Sequence, residues 1–356
     1  MAGACSALAV AAVAAPGLAG GAASEVLIAI PERIAYVTSS EAQPQPKVWS
    51  AFADGSAPLQ LGPGSGPLIS PDGALVAAGL FGAGVESGPS LALYPAAGGA
   101  AVRSGDLAKQ TATPLAWSPD SRYLAVALQS TAGRNVARGS GLGVFDVTTG
   151  TLRTIASGIV DGASFAPDGT DRVVFGRSKV ENLPAPVDLY IAAPSGSGLH
   201  RLSSDGRSLN PVWGPRYIAY DRERLRRGEA PVYEIWLRRA AGGPRRLTGI
   251  RVRSLVSGLV PLGFSQSGTR LLAEFVGQDT SEAWTVQVPS GRSRPVRIAG
   301  RPVVGGAISR DGSQLLVYAG GVEGPADGDS IFTLPFGGGG SAKLLRAHAA
   351  QPSWNQ

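Results

Sequence analysis

Short apolar runs alternate with turn-forming residues along almost the whole chain. Nearly continuous apolar segments lie at 75–78, 123–127, 173–175, 217–220, 271–275 and 315–318. Segments of three to five such residues without alternation predict strands covered on both faces. Each is preceded by a turn that follows one apolar or aromatic residue. Ile69 precedes Pro71-Asp72-Gly73, Trp117 precedes Pro119-Asp120-Ser121, and Phe165 precedes Pro167-Asp168-Gly169. Trp213 precedes Gly214-Pro215, Phe264 precedes Gln266-Ser267-Gly268, and Ile308 precedes Arg310-Asp311-Gly312. These leading residues stand 48, 48, 48, 51 and 44 positions apart. A third apolar run, a tight turn and a shorter, more polar run, for example 152–155 or 296–298, complete each unit. Four strands in roughly 40–50 residues is the size of one propeller blade.

The chain ends supply one further unit between them. Pro352-Ser353-Trp354 matches the inner-strand pattern Pro211-Val212-Trp213 and stops at the turn. The missing second strand stands at the other end, where Ile34-Ala35-Tyr36 matches Ile218-Ala219-Tyr220. Segments 48–51 and 59–61 then predict a third and a fourth strand. The expected fold is therefore all-β: a seven-bladed β-propeller closed by the C-terminal strand joining the N-terminal blade. Six or eight blades fit the spacing less well. The competing arrangement takes the inner strand from 26–30 and leaves the tail loose.

Composition fits this picture. Hydrophobic residues make up 44% of 356, enough to bury a large core, and the 50 glycines and 27 prolines fall between the runs without a three-residue period. Residues 1–24 carry no charged side chain. An apolar stretch at 7–15, then Pro16-Gly17 and small residues, follows the pattern of a secretory leader, although no basic residue precedes it. The expectation is a leader or N-terminal anchor over 1–24 and a single propeller over 25–356. That places the protein outside the cytoplasm, as a periplasmic, cell-envelope or secreted chain. Cys5 is the only cysteine, and His200 and His348 are the only histidines. An intrachain disulfide is excluded, and a metal centre built on several of these residues is not expected.

The repeated turn followed by an Ile-Ala-Tyr-like strand resembles the TolB-like β-propellers, whose repeat is related to the WD repeat. Ala116-Trp117-Ser118-Pro119-Asp120-Ser121 and Ser164-Phe165-Ala166-Pro167-Asp168-Gly169 carry the resemblance most fully. It covers nearly everything from Pro31 onward. It implies envelope or extracellular scaffolds that bind other proteins, and also propellers attached to peptidases. Two departures stand out. Propellers of this kind are often six-bladed, and no stretch here is expected to form the N-terminal α/β domain that TolB carries.

Chemistry is thinly marked. The connections at 39–47, 81–90, 129–141, 178–187, 221–232 and 320–330 are expected as long loops on one face, and loops on a rigid scaffold are where binding is usually placed. Arg222, Arg224, Arg226 and Arg227 fall in one of them, ahead of further arginines at 238, 239, 245, 246, 251 and 253. Guanidinium groups pair with carboxylate or phosphate, so an anionic protein partner is one expectation; a solvated loop balanced by Glu223, Glu229 and Glu234 is the other. Aromatic residues are not interleaved with the arginines, so nucleic acid is not expected. Asp161 and Asn210 sit near the starts of inner strands and are the candidates for a polar central channel. Glu323, Asp327 and Asp329 lack calcium-loop spacing and read as a solvated loop. Gly337 to Gly340 lacks the Lys-Ser/Thr of a phosphate loop and reads as a hairpin turn. The six tryptophans read as packing between blades. No cofactor is expected. The leading expectation is a non-enzymatic binding scaffold. The alternatives are a hydrolase or lyase with a carboxylate-lined channel and a propeller partnering a separate peptidase.

Overall fold

The computed structural model describes residues 31–40, 43–80, 89–106, 110–130, 139–179, 186–225, 227–239, 242–250, 255–319, 329–338 and 340–355. Residues 31–356 form one unit. The expected leader lies outside the described residues, as do Glu323, Asp327, Arg226, Arg251 and Arg253.

Every element among the described residues is a β-strand. In chain order they are β1 (Arg33–Ser40), β2 (Gln43–Phe52), β3 (Leu59–Pro63), β4 (Ser65–Ile69), β5 (Leu75–Gly79), β6 (Pro89–Pro95), β7 (Arg103–Asp106), β8 (Gln110–Trp117), β9 (Tyr123–Ser130) and β10 (Gly141–Asp146). There follow β11 (Thr151–Ser157), β12 (Ile159–Phe165), β13 (Val173–Ser178), β14 (Asp188–Ala192), β15 (His200–Arg201), β16 (Ser208–Trp213), β17 (Ile218–Arg224), β18 (Val232–Arg238), β19 (Arg245–Gly249) and β20 (Ser257–Phe264). The last are β21 (Arg270–Gly277), β22 (Ser281–Gln287), β23 (Ser293–Pro295), β24 (Arg297–Ile298), β25 (Arg301–Pro302), β26 (Val304–Ile308), β27 (Gln314–Ala319), β28 (Ser330–Pro335), β29 (Lys343–Ala347) and β30 (Ala350–Trp354).

The strands order themselves as consecutive antiparallel sheets: β4-β5-β6-β7, β8 to β11, β12 to β15, and β26 to β29. The sets β16 to β19 and β20 to β23 are joined, because β18 also pairs in parallel with β20 at Val232↔Ser257 and Tyr233↔Gly258. One sheet draws on both ends of the chain, in the order β3-β2-β1-β30. The residue before each turn pairs with the start of the second strand. The pairs are Ile69↔Val76, Trp117↔Leu124, Phe165↔Val173, Trp213↔Ile218, Phe264↔Leu271, Ile308↔Leu315 and, across the ends, Trp354↔Ile34. The second members of these pairs are at most 1% exposed, so the core runs through the second strands. The inner strands pack on one another in the order β4, β8, β12, β16, β20, β26, β30, and β30 packs in turn on β4.

Serine fixes the turns. Ser118 Oγ donates to Asp120 Oδ1 at 2.5 Å and accepts from the Tyr123 amide at 2.8 Å. Ser70 and Ser309 repeat both bonds with Asp72 and Leu75, and with Asp311 and Gln314. The aspartates of these turns are thus structural, as expected. Three boundaries differ from the sequence expectation. The 39–47 connection is not a long loop, because β1 and β2 stay paired out to Ser40↔Gln43. The strand expected over 296–298 is β23, three residues earlier, and Arg297-Ile298 pairs instead with Arg301-Pro302. The loop expected from Asp221 begins only after Arg224, since apolar Tyr220 does not end the β17–β18 ladder.

Candidate functional site

The inner strand β16 reads Ser-Leu-Asn-Pro-Val-Trp, and its pairing with β17 slips between Leu209 and Val212. Asn210 takes up the slip at φ 44°, a left-handed conformation that Asn tolerates better than most side chains. Bulges of this kind re-aim side chains. The same device recurs where Gly66 and Gln351 precede a proline, at φ 57° and 50°. On the neighbouring strand β12, Gly162 stands at φ +69°, and a Cβ there would lie 3.0 Å from Asn210 Cα. The two inner strands therefore approach closely at the residue following Asp161.

Asp221 projects from β17 into this contact. It is 1% exposed, and neither carboxylate oxygen has a hydrogen-bond partner of ordinary geometry. Burial pushes its pKa up to about 7; the Asn210 side chain opposes this, and the negative charges of Asp161 and Glu223 reinforce it. Burial likewise raises Asp161. Tyr233 on β18 is raised by burial and then by Glu223, Asp221 and Asp161. Asp161, Asp221 and Glu223 thus bring like charges together beside the neutral Asn210 and Tyr233, at the inner-strand half nearer the second-to-third strand connections. Asp161 and Asn210, expected separately as channel residues, are brought together. Among the described residues no group of three or more acidic, histidine or cysteine side chains is arranged to hold a metal ion.

Asp221 has a structural equivalent that sequence reasoning missed. It stands three residues beyond Ile218, which pairs with Trp213; Glu274 stands three beyond Leu271, which pairs with Phe264. The same count reaches Gly79, Ala127, Gly176, Tyr318 and Val37 in the other sheets. The position is small or apolar in four sheets and ionisable in three consecutive ones. Burial raises Glu274 to about 7, and Ser281 Oγ donates to its Oε1. Tyr318 is pushed to about 12 by burial and then by the charges of Glu274 and Asp329.

The arginines expected to form a basic loop separate. Arg222 and Arg224 lie in β17. Arg222 pairs with Asp205 at 2.8 Å and stacks over Trp236, 4.7 Å from the ring centroid. Arg224 pairs with the buried Glu234 at 3.1 Å. Arg227 is exposed. Two of the four side chains are therefore committed to internal carboxylates rather than gathered at a surface.

No family model and no curated protein sequence matches the chain. Solved structures do. TolB from Acinetobacter baumannii is similar at TM-score 0.52 and 16% identity, over 91% of this chain and 66% of that one. The chain thus spans just under two thirds of that protein's length. The β-propeller domain of the Trilobed protease from Pyrococcus furiosus, described as having an open velcro topology, gives 0.63 and 13%, over 89% and 92%. A puromycin-hydrolysing peptidase of Mycobacterium tuberculosis gives 0.60 and 12%, over 91% of this chain and 53% of its own. At these identities the likeness speaks to the fold, and the fold of this chain is that of a TolB-like β-propeller.

Proposed function

We propose that this chain is a non-enzymatic, exported propeller scaffold that binds a protein partner over the end where its second-to-third strand connections emerge. In this reading the sheets form a seven-bladed ring, with β30 as the inner strand of a blade otherwise built from β1, β2 and β3. The succession of inner-strand contacts and the Trp354↔Ile34 pairing support the ring.

The observation that carries the binding reading is the buried Asp221 carboxylate, which forms no ion pair among the described residues and is held against Asp161 and Asn210. A buried charge without a counterion costs free energy that a cationic group from outside would recover. The fitting partner presents a basic side chain. The anionic partner suggested by the arginines is less well supported, because Arg222 and Arg224 are already paired.

Proximity labelling in native cells tests this, comparing the wild-type chain with Asp161→Asn and Asp221→Asn together. Loss of one defined partner from an otherwise unchanged set, with the purified variant melting no lower than wild type, is the expected result. An unchanged set counts against the site. A second reading rests on Asp221 and Glu274 both titrating near neutrality, which suits general acid–base chemistry. It requires turnover of a substrate by the purified protein and loss of that turnover in the same variants.

A further inference from the structure

At the opposite end of the sheets, where the first-to-second and third-to-fourth turns lie, a cavity of about 430 Å³ opens between the β22–β23 hairpin and the next sheet. Small-molecule sites span roughly 300–1,000 Å³. Its lining is Thr285, Gln287, Ser290, Arg292, Ser293 and Arg294, with Phe336 and Gly337 facing them. The strand periodicity explains this set. Thr285 and Gln287 are two apart and share a face of β22. Arg294 is the cross-strand partner of Thr285, and Arg292 accepts the Gln287 amide on its carbonyl. Two guanidinium groups and two uncharged polar side chains therefore point the same way, toward the turn after β28.

That turn is held in place. Arg294 Nη1 donates to the Gly337 carbonyl at 3.2 Å. Phe336 is 4% exposed and carries Arg270 over its ring at 5.2 Å, while Arg270 Nη1 donates to the Gly312 carbonyl at 2.7 Å. No carboxylate lines the cavity. Arg292 and Arg294 form no ion pair among the described residues, in contrast to Arg222, Arg224 and Arg297, which do. The cavity is thus positively charged, rich in hydroxyl and amide groups, and closed on one side by an aromatic ring. Guanidinium pairs select oxyanions. Ser293, next to Arg294 on β23, turns its hydroxyl to Thr248 on the other face. The hydroxyls of Thr285 and Ser290 and the Gln287 amide still exceed what a bare anion requires and match a ring bearing several hydroxyls.

We propose that this cavity binds an anionic saccharide, with its carboxylate or phosphate on Arg292 and Arg294 and its hydroxyls on Thr285, Ser290 and Gln287. The site is independent of the Asp221 cluster and of the partner proposed to bind there.

Isothermal titration of the full chain with glucose 6-phosphate, glucuronate, glucose and inorganic phosphate tests it. At least one of the two anionic sugars binds more tightly than both glucose and inorganic phosphate, and which one binds separates phosphate from carboxylate recognition. Arg292→Ala with Arg294→Ala weakens that binding by about tenfold or more, since charge-assisted hydrogen bonds are the strong ones. Raising the salt concentration weakens it in the wild type. Gln287→Ala, at an exposed position, weakens the anionic sugar and leaves inorganic phosphate unchanged, so the site remains testable should the double variant not fold. The proposal is overturned if neither anionic sugar binds at millimolar concentration. It is overturned equally if a folded double variant binds as wild type does, or if inorganic phosphate binds as tightly as the better sugar.

Discussion

Asp221 ionises near pH 3.8 in an unfolded chain and near pH 7 in the folded one, because folding takes its carboxylate out of water without a counterion. Between those values the folded state holds a proton that the unfolded state has released. Stability therefore falls as pH rises through this window, and the loss is complete above about pH 7. Three pKa units correspond to roughly 4 kcal/mol. Glu274, raised from 4.5 to about 7, acts with the same sign. Asp221→Asn removes the charge at nearly constant shape. Urea unfolding from pH 4 to 8 should show a flatter profile for the variant than for wild type, and a more stable variant at pH 8. Parallel profiles would mean that Asp221 is solvated in solution. The arginines follow the opposite logic. Arg33, Arg122, Arg172, Arg177, Arg222 and Arg270 each lie over an aromatic ring, so much of the net charge of +6 is carried by side chains that also pack.

The turn between inner and second strands is the element that makes the repeat visible. In Ser118-Pro119-Asp120-Ser121 one hydroxyl bridges the aspartate and the amide five residues on. Ser118→Ala leaves the part-buried Tyr123 amide without this partner and should cost about 1 kcal/mol in chemical denaturation. Ala166 occupies the matching position in its sheet. Its amide bonds to the Arg172 carbonyl, six residues on, whereas the Ser118 amide reaches Tyr123, five residues on. That turn is one residue longer, so Ala166→Ser should bring no comparable gain; a gain of similar size would show that turn length does not matter. Such local chemistry is why the turns, the second strands and the pairing of the chain ends were legible in the sequence. Asp161 and Asn210 were legible as polar residues on inner strands. Asp221 was not, because the apolar pattern stops at Tyr220 and the ladder does not. Counting three residues past each turn-paired apolar residue would have found Asp221 and Glu274 standing where other sheets carry Gly79, Ala127 and Gly176. The expected basic loop dissolved in part as expected, since Glu234, which pairs with Arg224, was among the carboxylates read as balancing it; Asp205, which pairs with Arg222, lies on a segment that only the fold brings near.

At the scale of the whole molecule, the question is what the β1–β30 pairing contributes. Asn355 accepts the Arg33 amide on Oδ1 at 2.7 Å and donates through Nδ2 to the Pro31 carbonyl at 3.3 Å. Ser353 Oγ accepts the Ile69 amide at 3.2 Å, tying β30 also to the neighbouring sheet. Trp354 is 7% exposed and packs with Ile34, Tyr36 and Leu316. Removing 351–356 would take away this side chain, whose truncation alone costs about 3–5 kcal/mol, and would leave β1 as an open edge lined by the fully buried Ile34 and Ala35. The shortened chain should melt well below wild type and self-associate on size-exclusion chromatography, because an unpaired apolar edge recruits another strand. Trp354→Ala keeps the backbone pairing and should lower the melting temperature without causing association. The two variants therefore separate side-chain packing from edge protection. A shortened chain that melts as wild type does would place the stability of this propeller in its individual sheets, with the two chain ends contributing nothing to holding them together.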